Sequence, residues 1–316
     1  MGTDSSVPIF NIPMKRKEDN RMKNKLFTGI MPALITPIEE DGALRVSSAQ
    51  RIMEYELSEG AKGFYINGNT GEGLFLSEKT RRELAELAVA VNRGRGVVIN
   101  HVGAVDALSA LRLARHSGEI GCNAISSMVP NYVATYTDDQ ILDYYKRLAD
   151  ASSLPVLVYC TGLLKGNPVD FMEKAIKIDG VVGVKYTMTN YYDMHRITEL
   201  NGGDINVING PDEMLICGLT MGADGGIGST YNLMTRRYCD LYAAFMAGEF
   251  QKAREIQFGI NRIVAVLLRH GCIPAIKEAL TLKGFDAGHV AYPGKRFDAE
   301  ERRQLAEELR AAGYEI

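Results

Sequence analysis

The stretch Gly180–Asn190, "GVVGVKYTMTN", decides how the rest of the chain is read. Val181, Val182 and Val184 have the β-branched composition of a short strand, and in an alternating β/α chain such a strand is covered on both faces. Yet the run ends on Lys185. A charged side chain at the end of a buried strand needs either an exit to water or a task.

Outward from this stretch, short apolar runs alternate with longer amphipathic ones from Gly29 onward, the pattern of βα units. Eight strands are predicted: "GIMPALIT" from Gly29, "GFYIN" from Gly63, "VVINHV" from Val97, "AISSM" from Ala124, "VLVY" from Val156, "VVGVK" from Val181, "INVIN" from Ile205 and "ADGGIG" from Ala223. A helix is expected after each. Thr137 and Gln140 form a capping box ahead of Ile141, Leu142, Tyr145, Leu148 and Ala149, and Ser77 precedes Leu84, Leu87, Ala88 and Val91. Eight such units within about 250 residues fit a (β/α)8 barrel better than a doubly wound sheet, whose first strand usually runs into a glycine fingerprint. Here the first strand runs into "ITPIEEDG". The barrel is expected over residues 26–248 and a helical extension over 249–316, with helices at Phe250 to His270, Pro274 to Leu282 and Asp298 to Ala312. Residues 1–25 are polar, lack the apolar segment of a signal peptide, and read as a disordered leader.

With 316 residues, 46% hydrophobic content and a net charge of -3, the chain reads as globular, and its dispersed charges offer no footprint for nucleic acid or an anionic membrane. The expected partner is a small molecule. Five widely spaced cysteines without a CxxC pair, and five histidines without an HxxxH pattern, reveal no metal site and read as a reduced, cytoplasmic protein.

Barrels build their sites at the C-terminal ends of the strands. The second strand presents "NGNTGEG" (Asn67 to Gly73), the fifth Tyr159, the sixth Lys185 and Thr187, the seventh "NGPDE" (Asn209 to Glu213) and the eighth "GGIGST" (Gly225 to Thr230). Lys185 is the only lysine at any of these predicted strand ends. Partial desolvation there disfavours an ammonium, and a neutral amine can attack a carbonyl to form a Schiff base. Tyr159, one strand away, brings a phenol able both to donate and to accept a proton. The glycine-rich turn around Thr70 offers a hydroxyl and backbone N–H groups to a carboxylate, with Glu72 as a buttress. Asp212 and Glu213, next to the eighth-strand glycines, would repel a phosphate but accept hydrogen bonds from sugar hydroxyls, which favours a polyol.

With "GNTGEG", Tyr159, Lys185 and "GADGGIGSTYN" in this order, the chain from about Leu26 to Gly313 resembles the dihydrodipicolinate synthase / N-acetylneuraminate lyase family of pyruvate-dependent class I aldolases. The resemblance implies that Lys185 forms the Schiff base with pyruvate, that Tyr159 shuttles protons, and that the turn holding Asn69 and Thr70 binds the pyruvyl carboxylate. It also implies that Tyr132, in "PNYVATY", reaches into a neighbouring subunit's site, in a homotetramer made of two tight dimers. Within the family the lyase branch is the more similar, because the synthase branch carries an arginine where this chain has Leu164. "NGPDE" and "GGIGSTYN" look like the lyase segments that bind the sugar chain, which carries over Thr187, Gly210, Asp212, Glu213, Gly228 and Ser229 as substrate contacts. Two features depart from the family pattern. Asn69 stands where a second hydroxyl is common, and "CTGLLKG" replaces a proline-containing loop after Tyr159.

The activity implied is reversible cleavage of N-acetylneuraminate, or a close sialic acid, to pyruvate and N-acetylmannosamine. The iminium nitrogen is the electron sink, so no metal or cofactor is expected. An aldolase or dehydratase for another 2-keto-3-deoxy sugar acid, or a dihydrodipicolinate synthase-like condensing enzyme, is the alternative. A non-catalytic sugar-acid-binding protein is disfavoured by the complete lysine, tyrosine and threonine set.

Overall fold

The structure is a computed structural model that describes residues 25–130 and 132–316. Eight strands alternate with eight helices: β1 (Gly29–Pro32), α1 (Val46–Ser58), β2 (Gly63–Ile66), α2 (Glu78–Asn92), β3 (Val97–His101), α3 (Ala107–Glu119), β4 (Ala124–Met128), α4 (Asp138–Ser152), β5 (Val156–Cys160), α5 (Pro168–Ala175), β6 (Val181–Tyr186), α6 (Tyr191–Thr198), β7 (Asn206–Asn209), α7 (Leu215–Thr220), β8 (Gly225–Gly228) and α8 (Tyr231–Met246). All paired strands are parallel, in the order β1-β8-β7-β6-β5-β4-β3-β2. The remaining seam is closed by the Lys62 N–H on Ile30 O at 2.8 Å and the Leu34 N–H on Tyr65 O at 2.9 Å. The ring is therefore a (β/α)8 barrel.

Local sequence explains the elements. The Thr137 hydroxyl accepts from Gln140 N–H while the Gln140 side chain accepts from Thr137 N–H, so the expected capping box starts α4. Ser77 caps α2 by accepting from Thr80 N–H at 3.1 Å. β1 stops at Pro32, four residues before the end of the apolar run, because the Ile35 N–H donates to Asn232 Oδ1 on α8 and leaves the ladder.

Strand alternation sorts the core into two layers. Met31, Tyr65, Ile99, Ala124, Leu157, Tyr159, Ile208 and Ile227 fill the barrel. Phe64, Ile66 and Val98 on one side, and Ile125, Val158, Val184 and Val207 on the other, point out against the helices. After α8 come α9 (Phe250–Arg269), α10 (Ile273–Leu282) and α11 (Ala299–Ala311). Ile260, Ile263, Ile276 and Leu305 from these helices join the same cluster as Ile30, Leu34 and Phe64, so the extension and the barrel share one core. Residues 1–24 of the expected leader lie outside the described residues. Lys25 is described, and its ammonium donates to Gly203 O and Ile205 O beside Asp224.

Candidate active site

On β6, Val184 and Tyr186 pack outward among the helices, so alternation turns Lys185 into the barrel. Its Cα pairs in register with that of Tyr159 on β5. The Lys185 Nζ lies 4.1 Å from the ring centroid of Tyr159 and 4.2 Å from that of Tyr65, and the residue is 4% exposed. Among the described residues no carboxylate forms an ion pair with it, so two aromatic faces hold the amine in place of a counter-ion.

The rings are themselves fixed. Tyr65 Oη donates to Ser126 Oγ at 3.1 Å, and the Tyr65 and Tyr159 rings meet edge to face, 6.0 Å apart at 83°. His101 stands edge-on to Tyr159 at 6.1 Å. The Met128 N–H can only donate, so His101 Nε2 must be the acceptor and Nδ1 carries the proton given to Asn67 O. Burial, then the positive charges of Arg81 and Lys185, push the His101 imidazole well below its ordinary range, so it stays neutral. From sequence alone Tyr65 and His101 read as ordinary strand residues.

The expected carboxylate turn follows β2. Thr70 Oγ1 and Ser229 Oγ, from opposite sides of the β1 seam, are 2.6 Å apart, which brings the second-strand and eighth-strand motifs together. Asn69 is exposed. The backbone N–H groups of Asn69, Thr70 and Gly71 donate to no acceptor among the described residues, as a carboxylate-binding turn requires. Glu72 buttresses the turn through an ion pair rather than through the turn's own backbone: its Oε1 lies 2.6 Å from Lys277 Nζ on α10, a partner that sequence reasoning missed.

At the seventh and eighth strands, a Cβ on Gly210 would lie 1.9 Å from Thr187 Oγ1, so only glycine lets these two positions meet. Thr187 Oγ1 is buried and has no partner among the described residues. Asp212 and Glu213 fall in a short 3-10 turn ahead of α7 and behave differently. Asp212 is buried, and its Oδ2 accepts from the Thr230 N–H at 2.6 Å and the Thr230 hydroxyl at 2.7 Å. Its Oδ1 sits over Gly228, where a Cβ would come within 2.1 Å. Burial pushes the Asp212 carboxyl up to about 6, against the two Thr230 hydrogen bonds. Glu213 is exposed, and its carboxylate takes no hydrogen bond or ion pair among the described residues. The Tyr132 hydroxyl lies beside Gly103 and Ser127 of its own chain, where a Cβ on Gly103 would lie 2.7 Å from it and 2.8 Å from Ser127 Oγ. Burial pushes that phenol above its ordinary range. Asn131 beside it lies outside the described residues. Leu164 is buried among the helices around β5 and β6.

Fold and site together define a (β/α)8 barrel with one lysine set among phenol rings at the C-terminal ends of its strands. The chain belongs to the dihydrodipicolinate synthetase family, whose sequence model matches residues 26–312. It is 31% identical over 280 residues to the N-acetylneuraminate lyase of Rhizobium meliloti, covering 88% of this chain and 93% of that one. It is 32% identical over 291 residues to the N-acetylneuraminate lyase of Citrobacter koseri, covering 91% and 96%. Among solved structures, the N-acetylneuraminate lyase of Proteus mirabilis superposes with a TM-score of 0.86 at 28% identity, over 91% of this chain and 99% of that one.

Proposed function

We propose that this chain is a pyruvate-dependent class I aldolase that cleaves N-acetylneuraminate, or a close sialic acid, reversibly to pyruvate and N-acetylmannosamine. The observation that carries the reading is the Lys185 amine, buried between Tyr159 and Tyr65 with no carboxylate ion pair among the described residues. The family and the lyase relatives support it.

In the cleavage direction Lys185 Nζ attacks the C2 ketone of the open-chain sugar acid, and loss of water gives the iminium. The turn at Asn69, Thr70 and Gly71 receives the carboxylate, with the Thr70 and Ser229 hydroxyls beside it. Tyr159 takes the C4 hydroxyl proton as the C3–C4 bond breaks, and the bond's electron pair moves into the iminium to leave an enamine. Protonation of the enamine at C3 and hydrolysis of the resulting iminium release pyruvate and free Lys185. Thr187, Glu213 and Ser229 line the path for the sugar chain, while Asp212 is committed to Thr230 and shapes that path from behind.

The active assembly is a homotetramer in the cytoplasm. Supporting the assembly, Phe75, Val105, Leu108 and Val133 are large, exposed apolar residues after the adjacent strands β2, β3 and β4, and Val133 directly follows Tyr132. Supporting the compartment, all five cysteines are free thiols.

Pyruvate release measured over a panel of sialic acids and other 2-keto-3-deoxy sugar acids tests the substrate. Turnover of N-acetylneuraminate above the rest is expected. Release only from shorter keto acids would replace the sialic acid assignment with the broader aldolase or dehydratase reading.

A further inference from the structure

Lys277 sits on α10, in the C-terminal extension, 205 residues from the turn it touches. Its ammonium has three protons and three acceptors: Glu72 Oε1 at 2.6 Å, Thr36 O at 2.8 Å and His289 O. The other oxygen of Glu72 accepts from the Ala291 N–H at 2.6 Å. Thr36 completes the ring of contacts, because its hydroxyl donates to Gly71 O at 2.7 Å. Both charged side chains are almost fully enclosed, at 3% and 8% exposure.

Two observations argue that this arrangement serves more than cohesion. A buried ion pair is often no more stabilising than apolar side chains of the same volume, so stability alone gives little reason to keep one. Glu72 also has φ +56, in the left-handed region that a β-carbon disfavours, and such backbone persists only when its surroundings over-determine it. Here the surroundings are Lys277 and the Ala291 N–H. They fix the peptide plane next to Thr70 and Gly71, whose N–H groups have no acceptor among the described residues.

We infer that Lys277 is a positioning residue: through Glu72 it holds the carboxylate-binding turn in the geometry that receives the keto acid, so the C-terminal extension is a working part of the site. This rests on the aldolase reading above. An acceptor-free run of N–H groups binds a carboxylate well only if it is held before the ligand arrives. Losing the brace therefore weakens keto-acid capture and leaves the chemistry at Lys185 intact.

The test is borohydride trapping at varied pyruvate concentrations on the full-length chain, with melting temperature measured alongside. Lys277→Met should raise half-saturating pyruvate by about tenfold or more, with the trapping rate at saturation within about threefold of wild type. Because Lys277→Met strands a buried carboxylate, the double variant Glu72→Gln/Lys277→Met, which buries no unpaired charge, guards against misfolding and should show the same rise. Arg302→Met, which breaks the Arg302–Glu278 pair in the same extension, should leave half-saturation unchanged. Wild-type half-saturation in the folded double variant would overturn the inference. So would an equal rise in Arg302→Met, which would mark a general loosening. If wild-type protein traps no pyruvate, the aldolase reading fails first and this inference falls with it.

Discussion

Tyr159 and Lys185 occupy paired register positions on β5 and β6, and the lysine Nζ rests 4.1 Å from the centroid of the tyrosine ring. One side chain thus offers the amine an aromatic face and the substrate a phenol. Tyr159→Phe keeps the face and deletes the phenol. Its kcat should fall by about 10²–10⁴, as for loss of a positioned acid–base group, while melting temperature stays near wild type. Near-normal turnover would return Tyr159 to a packing role.

Glu213 and Asp212 are neighbours with different environments, one with an exposed carboxylate that has no partner among the described residues, the other buried on Thr230. Glu213→Ala should lower kcat/KM for N-acetylneuraminate by roughly ten- to a hundredfold, the size of one lost charged hydrogen bond. Trapping with pyruvate, which has no sugar chain, should not change. Equal loss with long and short substrates would remove Glu213 from the sugar path.

Asp212 should write itself into the pH dependence of stability. Its folded carboxyl lies at about 6, above the ~3.9 of an unfolded aspartate, so the folded state holds the proton more tightly. The wild type should therefore lose stability relative to Asp212→Asn as pH rises from about 4 to about 6, by about 3 kcal/mol, and the difference should level off above that. Urea unfolding of both proteins across this range measures it. A constant difference would mean that the fold does not shift the Asp212 carboxyl from its unfolded value.

What the sequence made legible, and what it hid, follows from range. The strands were visible because β-branched runs such as Val181–Val184 carry their environment locally, and Lys185 stood out because a cation ended such a run. The capping box at Thr137 and the three helices after Gly248 were equally local. Hidden were contacts between distant segments. Lys277 in "IPAIKEAL" reads as one charge on a solvated helix face, and only the fold brings it under Glu72. The same holds for Thr230, which claims the carboxylate of Asp212, and for Asn232, whose amide ends β1 early. Tyr65 and His101 read as core, because an aromatic or a histidine in a strand usually is core; here Tyr65 also faces the amine and His101 packs against the Tyr159 ring.

Glu56 on α1 is fully buried, and neither carboxylate oxygen has a partner among the described residues. Burial pushes its carboxyl well above the usual range. Since the folded state favours the protonated form, stability should fall as pH rises past the ordinary glutamate value of ~4.3. Glu56→Met should stabilise the protein by about 1–3 kcal/mol at neutral pH, with a smaller gain at pH 4. A loss of stability at neutral pH would reveal a role for the carboxyl that packing does not account for.

Incubation with pyruvate and borohydride, followed by intact-mass measurement and peptide mapping, decides whether Lys185 is the amine that forms the Schiff base. One reduced pyruvyl group per chain is expected, on Lys185, and none in Lys185→Ala. An adduct on another lysine, such as the exposed Lys165 in the loop after Tyr159, or no adduct in the folded wild-type protein, would contradict it.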